Sequence, residues 1–178
     1  RAEDTLIVHG YAGEGLSLPG LLTVDGRISV PLTDWKTGPG AAFENVVQAT
    51  ERLVLSGFSG PYALLCSPSL YASLLRVYPQ TQILEIEQIR RLVSAGVYQS
   101  SVLLGDSAVL VANGAENLDL VVGQDLTTGY LGPVDLNHDF RVLESVALRI
   151  KRPGAICVFG ESTSAPPSGP TGRRRAGG

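Results

Sequence analysis

The chain has 178 residues, 44% of them hydrophobic and only 17% charged, and a formal net charge of −3. That length suits one domain, or one domain plus a tail, with a substantial buried core. The acidic balance argues against a nucleic-acid binder, which carries a basic face, and the low charged share implies a compact chain or a surface shared with other subunits.

The chain opens RAEDTLIVHGY, with no methionine here or elsewhere. Asp4, Leu6, Ile7 and Val8 read as the end of a helix already under way, so a missing N-terminal part is expected. No signal peptide is visible at this start, and no apolar run reaches the roughly 18 residues of a membrane span.

Gly13 to Gly40 is rich in turn formers. Asp25-Gly26 sits between two alternating runs, Leu22 and Val24 before it and Ile28 and Val30 after it, which predicts a tight hairpin. Trp35 follows, beside the turn-rich TGPG. A helix is predicted over Ala41 to Ser56, with Phe43, Val46, Val47, Leu53 and Val54 on one face, Glu44 and Glu51 facing away, and Gly57 as its stop.

PYALLC, Pro61 to Cys66, reads as a short buried strand. Ser67-Pro68 opens a second helix, because Ser caps well and Pro suits the first helical position. Tyr71, Leu74 and Val77 fall on one side, and Pro79 ends it. A third helix is predicted over ILEIEQIRRLVSAG. Its buried stripe runs through Ile83, Ile86, Ile89 or Arg90, and Val93, charge pairs join Glu85 or Glu87 to Arg90 or Arg91, and Gly96 ends it.

SAVLVAN and LDLVVG read as two strands joined in a hairpin by Gly114 to Asn117. TTGYLG reads as a further strand. Phe140 to Ile150 alternates, placing Val142, Glu144, Val146, Leu148 and Ile150 on one face, and AICVF is a last short strand. Helices alternating with antiparallel hairpins define an α+β class. From Gly160 the chain turns Pro/Gly/Ser-rich with a basic cluster at Arg173 to Arg175. Residues 160–178 are expected to form a disordered, solvated tail.

Side chains that do chemistry are scarce. Cys66 and Cys157 lie far apart in apolar runs and read as small core residues of a reducing compartment; burial raises rather than lowers their thiol pKa. With no CxxC pair, zinc is not expected. His138, with Asp135 and Asp139 nearby, reads as a self-capping loop rather than a metal or acid/base site. Gly57-Phe58-Ser59-Gly60 lacks the spacing of a nucleophile elbow. The glycines at Gly13 and Gly15 follow no strand, as a phosphate fingerprint requires. GPGAAF could offer helix N–H groups to an anion but lacks the Lys and Ser/Thr of a P-loop. An enzyme is the weaker reading.

Several long runs, in one order, resemble one family. They are EDTLIVHGY (Glu3 to Tyr11), GLLTVDGRISVPLTDW (Gly20 to Trp35), GPYALLCSPSLY (Gly60 to Tyr71), LEIEQIRRLVSAGVYQS (Leu84 to Ser100), ENLDLVVGQDLTTGYLG (Glu116 to Gly132) and NHDFRVLESVALRIKRPGAICVF (Asn137 to Phe159). The family is the type 1 encapsulin shell proteins, also called linocin M18-like. The resemblance takes in nearly all of residues 1–159 and implies an HK97-type phage capsid subunit, with peripheral and axial domains. The family's N-terminal helix and extended loop would be missing.

Further expectations follow from the resemblance. Such subunits self-assemble into icosahedral shells enclosing a ferritin-like iron-storage protein or a dye-decolourising peroxidase. The cargo is held by its C-terminal targeting peptide. Asp125, Leu126, Thr128 and Tyr130 fall on the segment resembling the cargo-peptide strand. Tyr78, Pro79, Gln80, Thr81 and Gln82 fall on the loop resembling the five-fold pore, which would filter by size and hydrogen bonding. The resemblance implies no catalytic, cofactor or metal residue here; a flavin is associated with some family shells, and iron is handled by the cargo. A cytoplasmic compartment is expected, with no nucleic acid and no membrane. The alternatives are a phage-type major capsid protein and a bacteriocin- or protease-like hydrolase.

Overall fold

The computed structural model describes residues 2–13, 15–78, 81–134 and 137–160. Its centre is a five-stranded mixed sheet. The strands are β3 (Ile28–Val30), β4 (Tyr62–Cys66), β5 (Gly96–Gln99), β6 (Ala108–Ala112) and β9 (Ile156–Phe159), in the order β3-β9-β6-β4-β5. β3 runs parallel to β9 and β5 parallel to β4, while β6 is antiparallel to both its neighbours. β6 reads AVLVA without polar alternation because every residue in it is buried, as both its faces are covered.

One face is covered by α2 (Ala41–Leu55), α3 (Pro68–Leu74) and α4 (Glu85–Leu92), which pack on Leu64, Cys66, Leu110 and Phe159. The opposite face carries Val109, Val111 and Ile156. It is covered by Val8 of α1 (Ala2–His9), Leu21, Val24, Leu103 and Leu148. The α+β class therefore holds, as three layers around a mixed sheet.

The helices start and stop by local chemistry. α2 ends in a paired motif: Phe58 N–H donates to Leu53 C=O, Gly57 N–H donates to Val54 C=O, and Gly57 adopts φ +84°. Its N-cap is Gly40, which has no side chain to offer. The buried carboxylate of Glu85, from α4, accepts a 3.0 Å hydrogen bond from Phe43 N–H instead. The N–H group that GPGAAF could offer to an anion is thus taken by a side chain of the chain itself, where the helix dipole favours it. Glu85→Ala is expected to cost about 1–2 kcal/mol in a urea melt, and Glu85→Gln, which keeps an acceptor, less than half of that.

Several expectations are corrected. The stripe of α2 is Ala42, Asn45, Val46, Ala49 and Leu53, whereas Val47 and Val54 are exposed. Asn45 sits in the core because its amide is fully used, as described below. In α3 the buried residues are Leu70, Ser73 and Leu74, and Val77 is exposed. Ser67 is the N-cap, but its hydroxyl meets Ser69 Oγ at 3.2 Å rather than a backbone N–H. α4 buries Ile86 and Ile89 with Val93 just beyond it, while Ile83 is exposed. It ends at Leu92, and Gly96, at φ +115°, opens β5.

Neither predicted hairpin forms. Ile28–Val30 pairs in parallel with Ile156–Phe159, because burial of Val30 against a distant strand outweighs a local turn at Asp25-Gly26. A hairpin forms earlier instead, between β1 (Gly10–Gly13) and β2 (Leu16–Pro19). The turn at Gly114 to Asn117 does form, with Asn117 N–H donating to Gly114 C=O. The strands it joins diverge, because both edges of β6 are already taken by β4 and β9. The second strand and TTGYLG are one element, β7 (Leu118–Val134), paired antiparallel with β8 (Asn137–Ile150).

Candidate functional site

β7 and β8 form a separate two-stranded sheet. All its pairing irregularities insert residues into β7, between Val122 and Gln124, Gln124 and Thr127, and Tyr130 and Gly132. Such bulges bend and twist the strand that carries them. β8 runs through without an insertion, so its period-2 alternation is preserved. His138, Phe140, Val142, Glu144, Val146, Leu148 and Ile150 share one face, which includes the alternation expected from the sequence.

Only the base of this ribbon is covered. Leu148 packs with Val8, Val109 and Ile156, and Leu118 and Ile150 join the same cluster. An ion pair fixes the other side of the base: Arg149 and Lys151 reach Asp119 at 2.6 and 2.8 Å and hold its carboxyl well below the usual carboxylate range. Beyond the base, large apolar side chains stand in solvent. Phe140 is 63% exposed, Val142 60%, Leu126 64% and Tyr130 53%. Tyr130 packs on Phe140 with ring centroids 5.2 Å apart, and its hydroxyl lies 2.7 Å from His138 Nδ1. His138 is thereby engaged by an aromatic neighbour in an exposed position. Asp135, its expected companion, lies outside the described residues.

A cleft of about 320 Å³ separates α1 from β8, lined by Ala2, Glu3, Leu6, Glu144 and Val146. A hydrogen bond between the Glu3 and Glu144 side chains crosses it, and that bond, with Asp125 adding repulsion, raises the Glu144 pKa.

The expected cargo-peptide residues are all on β7. Asp125, Leu126, Thr128 and Tyr130 are exposed, with Asp125 accepting from Leu126 N–H at 2.8 Å. Thr128 pairs with Val142 and Tyr130 with Phe140. Of the expected pore loop, Tyr78, Thr81 and Gln82 are described, and Pro79 and Gln80 lie outside the described residues. Tyr78 packs edge-on against Phe43, at 6.1 Å between centroids, and its N–H donates to Ile83 C=O at 2.7 Å. The 160–178 tail lies outside the described residues except for Gly160.

The cysteines are set in the sheet. Cys66 on β4 pairs with Ala108, and Cys157 on β9 pairs with Leu110, so β6 runs between them. Burial pushes both thiols up to about 12. A thiol reagent at pH 8 is expected to label neither cysteine in the folded chain and both after denaturation; fast labelling of the native chain would contradict this burial. Among the described residues, no three His, Cys, Asp or Glu side chains converge as a metal site, and no helix is long and apolar enough to cross a membrane.

What sequence reasoning missed is the ribbon as a unit. The signal was the alternation of β8 together with apolar residues on a strand that no helix follows.

Comparison with known proteins places these features. The model of the linocin M18 family, described as encapsulating protein for peroxidase, matches residues 1–147. A type 1 encapsulin shell protein of Myxococcus xanthus is 52% identical over 89% of this chain and 54% of its own length. A diheme-cytochrome–encapsulin shell fusion of Kuenenia stuttgartiensis is 49% identical over 89% of this chain and 43% of its own. A ferritin-like–encapsulin shell fusion of Pyrococcus furiosus is 30% identical over 82% and 42%. The chain thus spans about half the length of the curated relatives it matches.

Among solved structures, a virus-like particle from Pyrococcus furiosus superposes with a TM-score of 0.72 at 31% identity, over 78% of this chain and 58% of that one. The capsid of the myovirus XM1 superposes with a TM-score of 0.74 at 9% identity, over 90% and 60%, which shows the shared fold. With its three layers, its projecting ribbon and these matches, the chain has the HK97-type capsid fold and belongs to the linocin M18 family of encapsulating proteins.

Proposed function

We propose that this protein is a shell subunit that self-assembles with copies of itself into an icosahedral encapsulin compartment around a cargo enzyme. The observation that carries the reading is the exposed apolar ribbon. A two-stranded sheet is marginal alone in water, and one bearing Leu126, Tyr130, Phe140 and Val142 in solvent requires a cover. The family match supports a shell subunit, in which further polypeptide packs on such a surface.

Residues 1–159 form the shell domain. The cargo is a peroxidase, as the family description indicates, or a ferritin-like protein, as the Pyrococcus furiosus fusion supports. Its C-terminal peptide docks on Asp125, Leu126, Thr128 and Tyr130, whose exposure leaves their side chains available. Tyr78, Pro79, Gln80, Thr81 and Gln82 border the five-fold pore. The subunit is structural rather than catalytic; iron chemistry belongs to the cargo and any flavin to other parts of a shell. The assembly is cytoplasmic and binds neither nucleic acid nor membrane; the net charge of −3 disfavours a capsid that packages nucleic acid.

Size-exclusion chromatography with negative-stain microscopy tests the reading. Closed hollow particles are the expected result. A monodisperse monomer or dimer across salt and pH would overturn it.

A further inference from the structure

The two ends of the loop between α3 and α4 are pinned together. Glu85 N–H donates to Arg76 C=O at 2.9 Å and Tyr78 N–H donates to Ile83 C=O at 2.7 Å, with Val77 and Leu84 paired antiparallel between them. Thr81 adds to this framework. Its hydroxyl donates to Tyr78 C=O at 3.0 Å and accepts from Ile83 N–H at 3.3 Å, and its own N–H donates to Tyr78 C=O at 3.1 Å.

The base of the loop is also joined to α2. Glu85 is buried and acts in both directions: its N–H holds the loop, and its carboxylate accepts from Phe43 N–H in the first turn of α2. The Phe43 ring meets the Tyr78 ring edge-on, a favoured geometry for an aromatic pair. Tyr78 also lies over Gly40, where an added Cβ would come to 3.5 Å from its ring. Tyr78 and Thr81 thus turn back onto the protein. Gln82 does not: it is exposed, and its side chain makes no hydrogen bond among the described residues.

We infer that Phe43 and Glu85 are positioning residues that hold Tyr78, Thr81 and Gln82 as a fixed rim, and that Gln82 is the side chain through which the rim selects. Tyr78 is then an anchor rather than part of the filter, on the reading of this loop as the pore border. Two backbone hydrogen bonds, a buried carboxylate and an aromatic pair all resist local opening at its base. The Gln82 amide offers both donors and an acceptor and carries no charge. It sorts solutes by size and hydrogen bonding and favours neither sign of ion.

Amide hydrogen exchange on the full 178-residue chain tests the anchoring. Phe43→Leu and Tyr78→Leu are each expected to speed exchange of the amides of residues 78 and 85 about fivefold, while those of β6 exchange as before. Glu85→Ala is expected to do the same, and Glu85→Gln, which keeps an acceptor, to restore most of the protection. Unchanged exchange would overturn the anchoring. Equal acceleration in β6 would also overturn it, leaving Phe43 and Glu85 as general packing residues.

The filter is tested in closed particles, by quenching of a trapped dye with iodide and with caesium at low salt. Gln82→Glu is expected to slow iodide and speed caesium severalfold, Gln82→Lys to do the reverse, and Tyr78→Phe to change neither. Quenching indifferent to the charge at position 82 would overturn both the filter and the pore reading, and faster loop exchange would still support the anchoring. Charge-sensitive quenching without the exchange effects would overturn the anchoring and support the pore reading. Absence of closed particles would overturn the shell reading and the filter with it, and the exchange result would still decide the anchoring.

Discussion

Phe159→Ala is expected to destabilise the chain by about 3–5 kcal/mol and to lower its melting temperature by about 10 °C. Phe159 is the last residue of β9 and is only 1% exposed. Its ring meets Trp35 edge-on, with centroids 5.4 Å apart at 73°. It lies between Val30 of β3 and Ala108 of β6, both buried, so truncation opens a cavity where three strands and the 31–40 segment meet. Collapse into that space is limited on the sheet side, because Val30 and Ala108 are short side chains on hydrogen-bonded strands and cannot swing in. The measurement is a thermal melt followed by circular dichroism, with Leu55→Ala as the control. Leu55 is 76% exposed and its truncation is expected to change stability by under about 0.5 kcal/mol. Equal effects of the two substitutions would contradict the placement of Phe159 at the centre of the core.

Asn45→Leu is expected to cost about 2–4 kcal/mol, although it replaces a polar residue by an apolar one at a core position. Asn45 is only 1% exposed on the inner face of α2. Its Oδ1 accepts from Trp35 Nε1 at 2.9 Å and from Thr33 N–H at 3.0 Å, and its Nδ2 donates to Pro31 C=O at 3.1 Å. One amide thus ties three points of the segment after β3 to the helix. Leucine would leave the indole N–H, a backbone N–H and a carbonyl without partners, and each costs roughly 1–3 kcal/mol where water cannot reach it. Asn45→Asp keeps the acceptor for Trp35 and Thr33 and loses the donors to Pro31 and, at 3.4 Å, to Gln48 Oε1, so it is expected to cost less than Asn45→Leu at pH 7. Urea midpoints of the two variants give the order, and a neutral or stabilising Asn45→Leu would contradict the network.

The two substitutions also show where sequence reading holds and where it fails. α2, α3, β4 and β9 were legible from periodicity and caps, because those signals are local: a Gly stop at Gly57, Ser67-Pro68 at a helix start, and a short apolar run at Tyr62–Cys66. The stripe of α2 was misread because periodicity counts apolar letters. Val47 and Val54 are apolar but face solvent, and Asn45 is polar but buried. Its burial is permitted only by partners on Pro31, Thr33 and Trp35, which no helical pattern reveals. Asp125, Leu126, Thr128 and Tyr130 were singled out through family resemblance, and their exposed, two-stranded setting emerged only from pairing.

Alternation, turn chemistry and composition by themselves determined the α+β class and the identity of most elements. Long motifs in one order brought the capsid-type family. Tertiary structure alone decided partnership between strands. Asp25-Gly26 and Gly114 to Asn117 both have the residues of a hairpin turn, yet the strands beside them pair elsewhere. A turn contributes locally, whereas a strand such as β6 or β9 gains burial on two faces and hydrogen bonds on two edges from partners far along the chain. That non-local gain exceeds what a four-residue turn can offer, and it left β7 and β8 as a ribbon with its apolar face to solvent.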